Sequence, residues 1–198
     1  MNRTKGIAGF TLMELLIAIA IIALLASLIL ASLSRAATRA KTAQCLNNLA
    51  QWNLTLALYM GENGDAIPRR GQGVQPLADL TRAEDWFNAL PPLANLPTYQ
   101  TLANQGKIPK PGDNTIFVCP TAKPTQNTNF LPYAMNIYLS PWIRPLPHHL
   151  PEIPRPASLA FMADGACAYS ATVPSALAYS VPARHGSKAN IAFLDGHT

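Results

Sequence analysis

Phe10-Thr11-Leu12-Met13-Glu14 opens a run, Leu15-Leu16-Ile17-Ala18-Ile19-Ala20-Ile21-Ile22-Ala23-Leu24-Leu25-Ala26-Ser27-Leu28-Ile29-Leu30-Ala31-Ser32-Leu33, in which only Ser27 and Ser32 are not apolar. At 1.5 Å rise per residue, a helix over this run spans about 28 Å, close to the hydrocarbon thickness of a bilayer. Residues 10–33 therefore read as a transmembrane helix. From Gly6 to Ser34 the one charged residue is Glu14, at the front edge of the run. A carboxylate in a membrane span is expensive, at about 2.5–3.5 kcal/mol near the helix centre and less toward an end. Glu14 wants a cationic partner, and its own span offers none. Arg3 and Lys5 lie two to three turns back. A new α-amine made by cutting the chain nearby, or a cation from another molecule, would meet the need.

Nothing stops the helix where the membrane would end. Ser34 to Met60 contains neither Gly nor Pro, and all 18 prolines lie at or beyond Pro68. Leu46, Leu49, Ala50, Asn53, Leu54, Ala57 and Met60 recur at helical spacing and predict one apolar face. Gly61 and Gly64, with Asn63 and Asp65 around them, supply the stop. Phe10 to Met60 then forms one helix of about 76 Å. Its second half, in the segment 34–64, needs a partner for its apolar side, and the Pro-rich remainder, 65–198, is the candidate.

Within that remainder, Asp79 to Leu90 predicts a short helix capped by Asp79 or Thr81, with Glu84 and Asp85 in its first turn. Three short strands are expected: Thr115–Cys119, Leu159–Ala163 and Asn190–Leu194, the last two closed by Asp164-Gly165 and Asp195-Gly196 turns. A small antiparallel sheet laid on the helix makes the fold α+β.

Composition narrows the function. Charged residues make up only 13% of the chain, about half the usual share. The net charge is +5, and without Arg3 and Lys5 it falls to +3. No basic block or aromatic-interleaved basic stripe points to nucleic acid. The three cysteines, Cys45, Cys119 and Cys167, form no CxxC pair, and an odd count suits one disulfide and one free thiol in an exported protein. No Gly-x-Ser-x-Gly elbow is present, and Ser187, His185 and Asp195 lack the context of a hydrolase. His148-His149, between prolines, reads as an exposed loop. Trp52, Trp86 and Trp142 read as core or interface. A cleaved secretory signal fits poorly, because the apolar run exceeds the usual 7–15 residues and Arg35 spoils the small-residue site near Ser34-Arg35-Ala36.

Lys5-Gly6-Ile7-Ala8-Gly9-Phe10-Thr11-Leu12-Met13-Glu14 resembles the N-terminal signal of type IV pilins and type II secretion pseudopilins. The resemblance implies a leader over residues 1–9, cleavage by a prepilin peptidase between Gly9 and Phe10, and N-methylation of Phe10. It further implies pairing of Glu14 with a neighbouring subunit's N-terminal amine during filament assembly. It places the leader in the cytoplasm, the span in the inner membrane and the head outside. The chain departs from many major pilins at Ala31, where they carry a proline. Cys45-Leu46-Asn47-Asn48-Leu49, Phe117-Val118-Cys119-Pro120, Tyr133-Ala134-Met135-Asn136 and His185 through Asp195-Gly196-His197 resemble pilin-like proteins with an H-x9-DG C-terminal segment. That resemblance implies a Cys45–Cys119 disulfide between helix and sheet. It also implies continuation beyond Asp-Gly-His, so that a final strand is missing after Thr198. No catalytic residue and no resident cofactor are expected. Calcium, held by Asp164, Asp195 and nearby carbonyls, or another metal involving Asp164, His185 and Asp195, is the subsidiary expectation. The alternative to a filament subunit is a membrane-anchored extracytoplasmic binding module.

Overall fold

The computed structural model describes residues 10–71, 80–123, 130–139, 149–165, 171–172 and 183–198. The chain divides into two compact units, Met1–Ala40 and Lys41–Thr198. The first helix, α1, covers Leu12–Glu62, close to the expected bounds, and its apolar window is long enough to cross a membrane.

In the first unit, every large apolar side chain from Phe10 to Leu33 is more than half exposed. The polar groups of this stretch are satisfied locally. Ser27 Oγ donates to the Leu24 carbonyl at 2.7 Å and Ser32 Oγ to that of Ile29 at 2.8 Å. A helix whose hydrogen bonds all close within itself is the kind of segment a hydrocarbon solvent accepts.

In the second unit, the inward face of α1 only partly matches the one its apolar periodicity predicted: Leu49, Asn53 and Met60 are buried as expected. Cys45, Asn48, Leu49, Trp52, Asn53, Thr55, Leu56 and Met60 are buried, whereas Ala50, Leu54 and Ala57 are exposed and Leu46 is half-buried. Asn48, which lies outside the predicted face, accounts for part of the shift. Asn48 Nδ2 donates to the Val118 carbonyl at 2.9 Å and lies 3.3 Å from both the Thr115 carbonyl and the Tyr133 hydroxyl. Burial costs such an amide little once it is bonded. The helix ends as expected at Asn63-Gly64. Gly64 takes φ 61°, and the Asp65 N–H donates back to the Met60 carbonyl at 2.8 Å, the capping bond of a left-handed stop.

The sheet has strand order β3-β1-β2-β4, with β1 at Tyr133–Asn136, β2 at Ala160–Asp164, β3 at Ala171–Thr172 and β4 at Ile191–Phe193. β1–β2 and β2–β4 are antiparallel, and β3 adds to β1 in parallel. This is the expected α+β architecture, and β2 and β4 fall where strands were predicted. Two local expectations fail. Thr115–Cys119 is not a strand but a buried turn, held to α1 by Asn48 and by Trp52 Nε1, which donates to the Ile116 carbonyl at 3.0 Å. The helix expected over Asp79–Leu90 shrinks to α2, Trp86–Ala89, with Asp85 at its N-cap; Asp79 lies outside the described residues. Trp86 and Phe87 are drawn inward at that point. The rings of Trp52, Trp86, Phe87, Phe117 and of Tyr99 (from α3, Tyr99–Asn104) meet edge-on, with centroids 5.2–6.0 Å apart, the arrangement aromatic quadrupoles favour.

Candidate functional site

Two places in the molecule gather chemistry. The first is the start of α1. Thr11 Oγ1 accepts from the Glu14 N–H at 3.2 Å, and Glu14 Oε2 accepts from the Thr11 N–H at 2.9 Å and from Thr11 Oγ1 at 2.7 Å. This is a capping box, which satisfies free N–H groups at both ends of the first turn. Sequence reasoning missed it, although Thr11-x-x-Glu14 is its signature. Thr11 is a neutral partner for Oε2, and no cation stands beside Glu14 among the described residues. Oε1 has no protein partner among the described residues. Phe10, just before the helix, is 76% exposed; Gly9 lies outside the described residues.

The second place is a buried cluster of Cys45, Cys119, Asp164 and His185, whose ligating atoms all lie within 4.8 Å of one another. Four separate segments deliver it. Cys45 comes from α1 and Cys119 from the turn pinned by Asn48. Asp164 ends β2. Beyond it, Gly165 lets the chain press on β1, where an added Cβ would lie 2.7 Å from that of Ala134. His185 opens a tight turn in which its N–H donates to the Lys188 carbonyl at 2.8 Å and the Lys188 N–H returns the bond at 3.2 Å. Gly186 and Ser187 both have positive φ there, as a two-residue hairpin turn of this hand requires.

Within the cluster, Cys45 Sγ lies 3.4 Å from Asp164 Oδ1, Cys119 Sγ 3.5 Å from His185 Nε2, and His185 Nε2 3.5 Å from Asp164 Oδ2. An outer ring orients these groups. Tyr133 OH donates to Cys45 Sγ at 3.4 Å, the Asn190 N–H donates to Asp164 Oδ2 at 2.9 Å, and Thr42 Oγ1 meets His185 Nδ1 at 3.3 Å. The Arg184 guanidinium stands 4.0 Å from Asp164 Oδ1.

The electrostatics follow from crowding. The closeness of the two sulfurs holds the Cys119 thiol down and the Cys45 thiol up, with Thr121 and His185 also favouring the Cys119 thiolate. Burial lifts the Asp164 carboxyl to about 6, against the Asn190 N–H, which favours its charged form. Burial likewise raises the Tyr133 phenol. One compact, dry volume thus holds several groups that compete to carry negative charge.

Of the residues singled out from sequence, Asp164 and His185 come together, and they do so with Cys45 and Cys119. The two cysteines are free, buried thiols. Asp195 is not in this cluster. It is exposed, its carboxylate accepts from the His197 N–H at 3.3 Å, and Gly196 beside it takes φ 97° in a surface turn. His149 is not merely exposed loop: its Nδ1 lies 2.9 Å from the Gly64 carbonyl, and its backbone bridges to Ala66. Trp52 and Trp86 are core. Cys167, His148 and Trp142 lie outside the described residues.

Residues 4–30 match the family model described as the prokaryotic N-terminal methylation motif. The chain carries a prepilin-type N-terminal signal. No curated protein and no solved structure matches the chain. The matched segment covers residues 4–9, the Gly9-Phe10 junction, Glu14 and most of the apolar run. The second unit, with its buried cluster, lies wholly beyond the matched signal.

Proposed function

We propose that this chain is a pilin-like structural subunit. Prepilin peptidase cuts between Gly9 and Phe10, Phe10 is methylated, and α1 anchors the product in the inner membrane with the head on the extracytoplasmic side. Other pilin or pseudopilin subunits then join it in a type IV pilus-like or type II secretion filament. The observation that carries this reading is the methylation-motif match over the start of a helix whose large apolar side chains from Phe10 to Leu33 are all more than half exposed. Such a surface needs lipid first and neighbouring helices afterwards. No catalytic step is assigned to the protein.

The capping box favours a second reading, a plain anchor with an extracytoplasmic binding head, because it gives Glu14 a use within the monomer. Two substitutions separate the readings. Glu14→Gln keeps the box, since Gln serves at the same position, but removes the charge. Thr11→Ala breaks the box and keeps the charge. If Glu14 pairs with a neighbour's amine, Glu14→Gln inserts normally yet disappears from sheared filaments, while Thr11→Ala still assembles. Equal incorporation of Glu14→Gln and wild type would leave the anchor reading standing.

A further inference from the structure

We propose that Cys45, Cys119, Asp164 and His185 bind one divalent zinc-class ion in a closed structural site that locks α1 to the sheet. Zinc bonds of about 2.3 Å to sulfur and about 2.0–2.2 Å to nitrogen or oxygen place the corners of a tetrahedron roughly 3.3–3.8 Å apart. His185 Nε2 stands 3.5 Å from both Cys119 Sγ and Asp164 Oδ2, two edges in that range; Cys45 Sγ lies 3.4 Å from the other Asp164 oxygen, and one donor atom from each of the four residues lies within 4.8 Å of the rest. Two thiols and an imidazole form a borderline-to-soft donor set, which suits zinc and not the hard, oxygen-seeking calcium or magnesium.

The surroundings fit a ligand role for each member. With Nδ1 turned to the Thr42 hydroxyl, His185 presents Nε2 to the other three. The Asn190 N–H and Tyr133 OH fix Asp164 and Cys45, as outer partners do for ligands in metal sites. Two thiolates, one carboxylate and a divalent ion leave a single negative charge, which Arg184 beside Asp164 answers. All four side chains are buried, so no open coordination position faces solvent and the ion's role is structural. Binding displaces the thiol protons to solvent; no bond is oxidised or reduced. The ion also keeps apart two neighbouring sulfurs that an oxidising envelope would otherwise join.

The full chain, purified in detergent, reduced and stripped of metal, is titrated with Co2+ and then Zn2+. The expected result is one ion per chain, a four-coordinate Co2+ spectrum with a thiolate-to-metal charge-transfer band, displacement of Co2+ by Zn2+, and both thiols closed to alkylation. Cys119→Ser abolishes or markedly weakens the charge-transfer band. Tyr133→Phe, which leaves all four ligands in place, lowers affinity about 10-fold. A folded chain that gives no thiolate–cobalt band overturns the proposal. So does peptide mapping of unreduced chain from the cell envelope that finds Cys45 joined to Cys119. Neither readout depends on filament assembly.

Discussion

Leu24 and Leu49 belong to the same helix, yet Leu24 is 64% exposed and Leu49 is fully buried. The two units differ in where their partners lie. Around Leu24 the hydroxyls of Ser27, Ser32 and Thr38 each bond back three or four residues, and the apolar side chains stay exposed. Around Leu49 the bonds are long-range: Asn48 to Val118, Trp52 to Ile116, Cys45 to Asp164. The same residue types therefore mean an exposed apolar rod in one unit and a self-sufficient core in the other.

Substitutions in each unit should break one property and spare the other. Trp52→Ala removes the ring that meets both Trp86 and Phe117. It should cost the head about 3–5 kcal/mol, seen as a lower Tm, while the chain still fractionates with membranes. Leu24→Asp should do the reverse, opposing insertion by about 2.5–3.5 kcal/mol. Membrane fractionation would then fall, with no change in the head's Tm. Gly165→Ala puts a methyl against the Ala134 backbone and side chain and should cost about 1–3 kcal/mol by strain, read by denaturant titration of the head. Thr11→Ala should be the mildest, weakening the first turn by about 1 kcal/mol, detectable as faster amide exchange at the start of α1 without loss of insertion.

The long helix, its stop at Asn63-Gly64 and strands β2 and β4 were legible because each carries a local pattern: an apolar run, a left-handed turn residue, a short buried stretch ending in Asp-Gly. The inward face of α1 was legible only in part, at Leu49, Asn53 and Met60, because Asn48 is admitted by hydrogen bonds to residues far along the chain. Thr115–Cys119 has strand-like composition, but Trp52 and Asn48 take its carbonyls as acceptors and fold it as a turn. The Thr11–Glu14 box was legible in its Thr-x-x-Glu spacing. The buried cluster was legible only as two separate pairs, Cys45 with Cys119 through the resemblance and Asp164 with His185 as metal candidates, with nothing local to join them. Cys45, Cys119, Asp164 and His185 stand on four segments, and the His185–Asp195 spacing led away from it, toward a residue that ends on the surface.

The claim on which the rest depends is that the N-terminus is a processed assembly signal. Co-expression of the full chain with an active prepilin peptidase, followed by intact-mass measurement of the membrane fraction, tests it directly. The account predicts a product that begins at Phe10, lacking residues 1–9 and carrying one added methyl group. A chain that keeps Met1 through Gly9 beside a peptidase shown to cleave a control prepilin would contradict it.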